Sequence, residues 1–158
     1  MNLKEYRMSL GITLKQASDS TGVALRTYNR YEHDDTYGDP LKRNSIINLL
    51  KDNFEISEDN GVLNAVFIAE TASDIFKKYK DKINFCYLFG SYAKGYAKDN
   101  SDVDLCISTS LKGLEFVGLI EELRQSLHKK IDLIRFSDLK DNFELLNEIM
   151  KDGVKIYG

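Results

Sequence analysis

Asp102 and Asp104 stand two residues apart in DVDLCIS, residues 102–108, where polar and apolar side chains alternate. That alternation predicts a strand. On a strand both carboxylates share one face, and Val103 and Leu105 take the other. Two carboxylates held so close repel each other unless a cation lies between them. Hard oxygen ligands suit Mg²⁺, which takes one or two carboxylates and leaves much of its shell to water and phosphate. Separated from Asp102 by ten residues, Gly90–Ser91 ends the apolar run INFCYLF, residues 83–89, which has the length of a buried strand. A turn that opens a short helix there presents backbone N–H groups to an anion. Glycine lets the anion come close, and the Ser91 hydroxyl adds a donor. Lys94 adds a positive charge three residues on.

Asp132 is a third acid, set inside the apolar run IDLIRF, residues 131–136. A lone carboxylate there is costly to bury without a purpose. If that run neighbours the DVD strand, the three acids form a cluster able to hold two Mg²⁺ for in-line displacement at phosphorus. Taken singly, each feature is ordinary. An Asp-x-Asp pair is commonly a solvated strand end, Gly-Ser is a common turn, and an isolated Asp132 would suit an edge strand. Order, spacing and strand setting together carry the reading.

The elements that must position these residues follow from periodicity. Residues 62–80 predict a long helix with Ala65, Ile68, Ala72, Ile75 and Tyr79 on one stripe. Residues 114–127 and 143–150 predict two more helices, and 154–157 a short closing strand. The polar stretch EISEDNG, residues 55–61, marks a boundary, giving an N-terminal module of residues 1–56 and a second domain of residues 57–158. In the first module a helix ends at Gly11, and Thr13 caps a second. Gly22 turns the chain into a third helix over 24–31, and a fourth covers 41–50. The predicted class is α+β, an all-α module followed by a small mixed sheet backed by helices.

Composition bounds the alternatives. The chain has 158 residues, 42% of them hydrophobic, and a net charge of −3. Residues 1–52 carry +1 and residues 53–158 carry −4, which permits nucleic-acid contact at the N-terminus without demanding it. No stretch has the length of a membrane span and the N-terminus lacks a leader's apolar core, so a cytoplasmic protein without membrane contact is expected. Cys86 and Cys106 sit in apolar runs and read as small core residues rather than ligands.

The stretch YLFGSYAKG…SDVDL, the IDLI run and the tail EIMKDGVKIY resemble the minimal nucleotidyltransferase (MNT) branch of the polymerase beta-type superfamily, over residues 62–158. The resemblance implies that Asp102 and Asp104 bind Mg²⁺ and that Asp132 binds metal or activates the acceptor hydroxyl. It also implies that Gly90, Ser91 and Lys94 hold the triphosphate of an ATP donor. Lys94 stands where this branch more often has arginine, which keeps the charge but loses a bidentate grip. Residues 13–32 resemble a helix-turn-helix of the phage-repressor (XRE) type, with Ser18 in place of the usual alanine. In such a motif Arg26, Asn29 and Arg30 face DNA, Arg suiting guanine or phosphate and Asn adenine. The acidic neighbours Asp34, Asp35 and Asp39 leave protein binding or homo-oligomerisation as the alternative.

MNT proteins of this kind commonly partner HEPN-type RNase toxins, and some transfer AMP to the partner. The resemblance therefore implies an antitoxin enzyme that also binds operator DNA. The alternatives are a small-molecule nucleotidyltransferase like those acting on aminoglycosides, and a non-catalytic DNA-binding antitoxin or repressor. About 95 residues house a nucleotide and metals but leave little wall for a small acceptor.

Overall fold

A computed structural model describes residues 2–158 of the chain. It divides into a unit that ends at Glu55 and a second unit, Ile56–Gly158.

The first unit holds α1 (Leu3–Ser9), α2 (Leu14–Thr21), α3 (Leu25–His33) and α4 (Pro40–Phe54). Its core is Leu3, Ile12, Ala17, Tyr28, Tyr31, Ile46 and Leu50. Thr13 and Gln16 form a reciprocal capping box at the start of α2, and Gly22 ends that helix in the left-handed region, φ 69°. The Ser18 hydroxyl donates to the Val23 carbonyl at 2.6 Å, so the atom that replaces alanine's hydrogen ties α2 to the turn. The fourth helix runs longer than its apolar pattern predicts. Pro40 occupies its first position, and the Asp39 carboxylate accepts the Leu41 N–H at 3.0 Å. A buried ion pair joins α1 to α3: Arg7 Nε donates to Glu32 Oε1 at 2.6 Å and Arg7 Nη2 to Glu32 Oε2 at 3.3 Å.

The second unit runs α5 (Ala65–Phe76), β1 (Ile83–Phe89), α6 (Gly90–Lys94), β2 (Val103–Thr109), α7 (Gly113–Leu127), β3 (Ile131–Arg135), α8 (Phe143–Asp152) and β4 (Val154–Tyr157). Single tight turns of helix follow α5 and β3. The sheet has the order β3-β2-β1-β4. Strand β1 is antiparallel to β2 and β4, while β2 and β3 are parallel, with α7 as the crossover. The class is the α+β expected.

The long helix over 62–80 is shorter than expected. Asn64 Oδ1 accepts the Val66 N–H at 2.7 Å and starts α5 at Ala65. Ile68, Ala72 and Ile75 are buried as the stripe predicts, but Ala65 is exposed and Phe76 joins the core instead.

Alternation divides the sheet into two faces. Val103, Leu105 and Ile107 of β2 pack with Cys86 and Leu88 against Ile68, Ala72 and Phe76 of α5 and Leu119 and Leu123 of α7. Cys106 lies on the other face, with Phe89, Leu139 and Ile149. Both cysteines are buried and free, and burial pushes the Cys106 thiol up to about 11. Asp104 is two residues from Cys106 and shares its face.

Candidate active site

Register brings the predicted residues together. Phe89 at the end of β1 pairs with Asp104, and Asp104 pairs in turn with Asp132 on β3. Paired positions on neighbouring strands lie about 4.8 Å apart, so the two carboxylates are adjacent on one face. Asp102 precedes the first residue of β2 rather than lying inside the strand, and it is exposed. The strand is anchored at once by the Val103 N–H, which donates to the Lys130 carbonyl at 2.9 Å.

Gly90 follows Phe89 with φ +69°. A Cβ there would lie 2.1 Å from Asp104 Oδ2 and 3.0 Å from its Cγ. The Asp104 carboxylate thus occupies the space a side chain at position 90 would need. Glycine is required twice, for the backbone angle and for the acid behind it. Ser91 opens the turn beside it, half-buried, with its carbonyl held by the N–H groups of Gly95 and Tyr96.

The acids act on one another. Burial raises the Asp104 carboxyl from 3.8 to about 6, and the charges of Asp132, Asp102 and Glu148 push in the same direction. Asp132, like Asp102, is exposed. Among the described residues, no three His, Cys, Asp or Glu side chains are gathered into a ready-made metal cage. The arrangement still fits Mg²⁺, which needs only one or two carboxylates and completes its shell with phosphate and water. A carboxylate destabilised by like charges gains most from a cation.

Lys94 is engaged by a residue the sequence reading passed over. Its Nζ pairs with Glu148 Oε1 of α8 at 2.7 Å, which raises the lysine's pKa. Glu148 also adds to the negative field at Asp104. A signal was present: Glu148 stands three residues after Leu145 and one before Ile149, beside the apolar stripe that packs α8 against the sheet.

The family model for "Polymerase beta, Nucleotidyltransferase" matches residues 70–158. The chain belongs to this nucleotidyltransferase family. A helix-turn-helix model matches residues 3–40. No curated protein matches the chain. Among solved structures, this nucleotidyltransferase resembles a toxin–antitoxin crystal structure with AMP-PNP, at 23% identity over 57% of this chain and 73% of that one, with a TM-score of 0.50. It also resembles a tri-AMPylated Shewanella oneidensis HEPN toxin in complex with MNT antitoxin, at 19% identity over 59% of this chain and 71% of that one, TM-score 0.46. The first of these likenesses, at 23% identity, speaks for the fold alone.

In the helix-turn-helix unit of this nucleotidyltransferase, Arg26, Asn29 and Arg30 are all exposed on α3. Arg30 lies over the Tyr37 ring, 4.2 Å from its centroid, so its guanidinium is braced rather than free. Arg43 donates to the carbonyls of Tyr31, Asp34 and Tyr37 and shapes the loop after α3. No described helix is long and apolar enough to cross a membrane.

Proposed function

We propose that this protein transfers AMP from ATP to a hydroxyl of a HEPN-type toxin partner, acting as the antitoxin of the pair, and that its helix-turn-helix unit reads operator DNA. The observation that carries the catalytic reading is the Asp104 carboxylate lodged against Gly90 with Asp132 beside it in register. Asp102, Asp104 and Asp132 would hold Mg²⁺, which when bound neutralises triphosphate charge and polarises the α-phosphoryl group. Gly90 and Ser91 seat the triphosphate, the glycine by letting the turn form against Asp104 and the serine by donating its hydroxyl. Lys94 brings its charge to the same end, shared with Glu148. Asp132 receives the proton of the incoming hydroxyl, or helps hold a second cation. The new bond joins that oxygen to the α-phosphorus; the bond to the β-phosphate breaks, and pyrophosphate leaves. The exposure of Asp102 and Asp132 supports a large acceptor, because a protein surface can reach them.

The test incubates the protein with α-labelled ATP, Mg²⁺ and the HEPN-type partner. Adenylylated partner is expected by mass spectrometry, and none with Asp104→Asn. Label on an aminoglycoside but never on protein would make this a small-molecule enzyme. ATP binding without any labelling would leave a DNA-binding repressor. For the DNA reading, retention of the protein's own promoter should fall in Arg26→Ala and weaken as salt rises. Retention equal to that of random DNA would end it.

A further inference from the structure

Lys129 is completely buried, although lysine is among the residue types least often found so. It follows α7, whose C-cap His128 turns left-handed, φ 56°, and it precedes β3. Its ammonium donates to the carbonyl of Asp99 at 2.5 Å and to the carbonyl of Asn60 at 3.2 Å. Burial lowers its pKa, while Asp99, Asp59 and Glu58 favour its charged form. Burying an ammonium costs several kcal/mol unless it is well paired, and an apolar side chain of similar length would fill the same space more cheaply. The charge must therefore do something that packing does not.

Its partners show what that is. Asp99 belongs to the loop that leads from α6 to Asp102. Within that loop Lys98 N–H donates to Ser101 Oγ at 2.8 Å and Ser101 N–H to the Lys98 carbonyl at 3.0 Å. The turn so closed ends on Asp102. The neighbouring Lys130 carbonyl accepts the Val103 N–H, fixing the other side of Asp102. Three residues beyond Lys129, β3 carries Asp132. Asn60 lies in the segment whose Leu63 N–H meets the hydroxyl of Tyr92, the residue after Ser91. One buried ammonium thus joins the backbone bearing Asp102 to the start of the strand bearing Asp132, with a support of the Gly90–Ser91 turn on its other side.

We propose that Lys129 is a positioning residue: by holding the Asp99 carbonyl it sets where Asp102 stands relative to Asp104 and Asp132. The proposal rests on the reading that these acids bind the cation. Residues supporting metal ligands from behind typically change metal affinity by 10–100-fold when removed.

The test uses the full chain and Mn²⁺ as a spin-active probe. Lys129→Met should weaken Mn²⁺ binding by about 10-fold or more and speed hydrogen exchange at the Ser101 and Val103 amides. Lys129→Arg, which keeps donors and charge, should recover part of both. Leu119→Ala, a core truncation in α7, controls for lost stability: it should leave Mn²⁺ affinity as it was and speed exchange across the sheet rather than at those two amides in particular. Should Lys129→Met not fold, Lys129→Leu, which also removes the donors, is read in the same way. Unchanged Mn²⁺ affinity and unchanged exchange in a folded variant would overturn the proposal, as would equal effects from Leu119→Ala. If the unaltered protein binds no Mn²⁺, the metal reading fails by itself, and exchange at Ser101 and Val103 still decides for or against Lys129.

Discussion

Gly90 and Asp104 share one volume, and that makes the glycine as important to the site as the acid. Gly90→Ala would force the carboxylate aside and strain a left-handed backbone by about 1–2 kcal/mol. Gly95 also has positive φ, +83°, but nothing lies within 4 Å of its missing Cβ. Gly95→Ala should therefore lose only stability, whereas Gly90→Ala should abolish nucleotidyl transfer as fully as Asp104→Asn; steady-state rates beside melting curves check this. Asp104 also fixes a pH dependence. Its folded pKa, about 6, lies above the unfolded value, so the native state binds the extra proton and stability falls as pH rises from about 4 to about 6. Without metal, Asp104→Asn should be more stable than the unaltered protein at pH 7.5 by about 1–2 kcal/mol, allowing for partial solvent screening. The gain should vanish near pH 4, and urea titrations at the two pH values would show it. The face of Asp104 was legible because alternation along β2 can be read from the sequence, whereas Asp102 falls just outside the strand on which that alternation was read. Glu148 and Lys129 were not legible, because their meaning lies in partners 54 and 30 residues away.

Elements were read well where one periodicity ruled and less well where a local side-chain bond intervened. Strand β1 needed only its apolar run, interrupted by Asn84 alone, whereas the start of α5 was moved three residues by the Asn64 cap, which apolar spacing does not register. The pairing of β2 with β3 could be stated only as a condition, since no sequence pattern names a strand's neighbour. In the helical unit the sequence marked Glu32 only as part of a motif. The fold shows it almost fully shielded and bonded twice by Arg7, which also donates to the Ile12 carbonyl at 2.7 Å. Removing one partner of a buried pair strands the other charge, at a cost of about 3–5 kcal/mol. A unit of this size has little stability to lose. Glu32→Ala should therefore melt α1–α4 at 25 °C, read as lost helical circular dichroism and lost promoter binding.

At the scale of the whole chain, the helical unit and the sheet unit have, among the described residues, separate cores with no residue in common. Ligands of one should leave the unfolding of the other unchanged. ATP with Mg²⁺ at a hundred times its dissociation constant should stabilise the sheet unit by about 2.7 kcal/mol and leave the helical unit's transition in place; Glu32→Ala should do the reverse. Calorimetry of the intact chain separates the two, and a single transition shifted by both would contradict it. The parallel register of β2 and β3 has a further consequence for anyone diversifying this sequence. Asp104 faces Asp132 only because each strand is in frame with the other. With Lys130 still held by the Val103 N–H, deleting Ile131 would shift the rest of β3 by one position, bringing Asp132 toward the α5 and α7 core and Leu133 out. Libraries that vary loop lengths can keep this frame, whereas a single-residue deletion within β3 erases it without changing any of the acids.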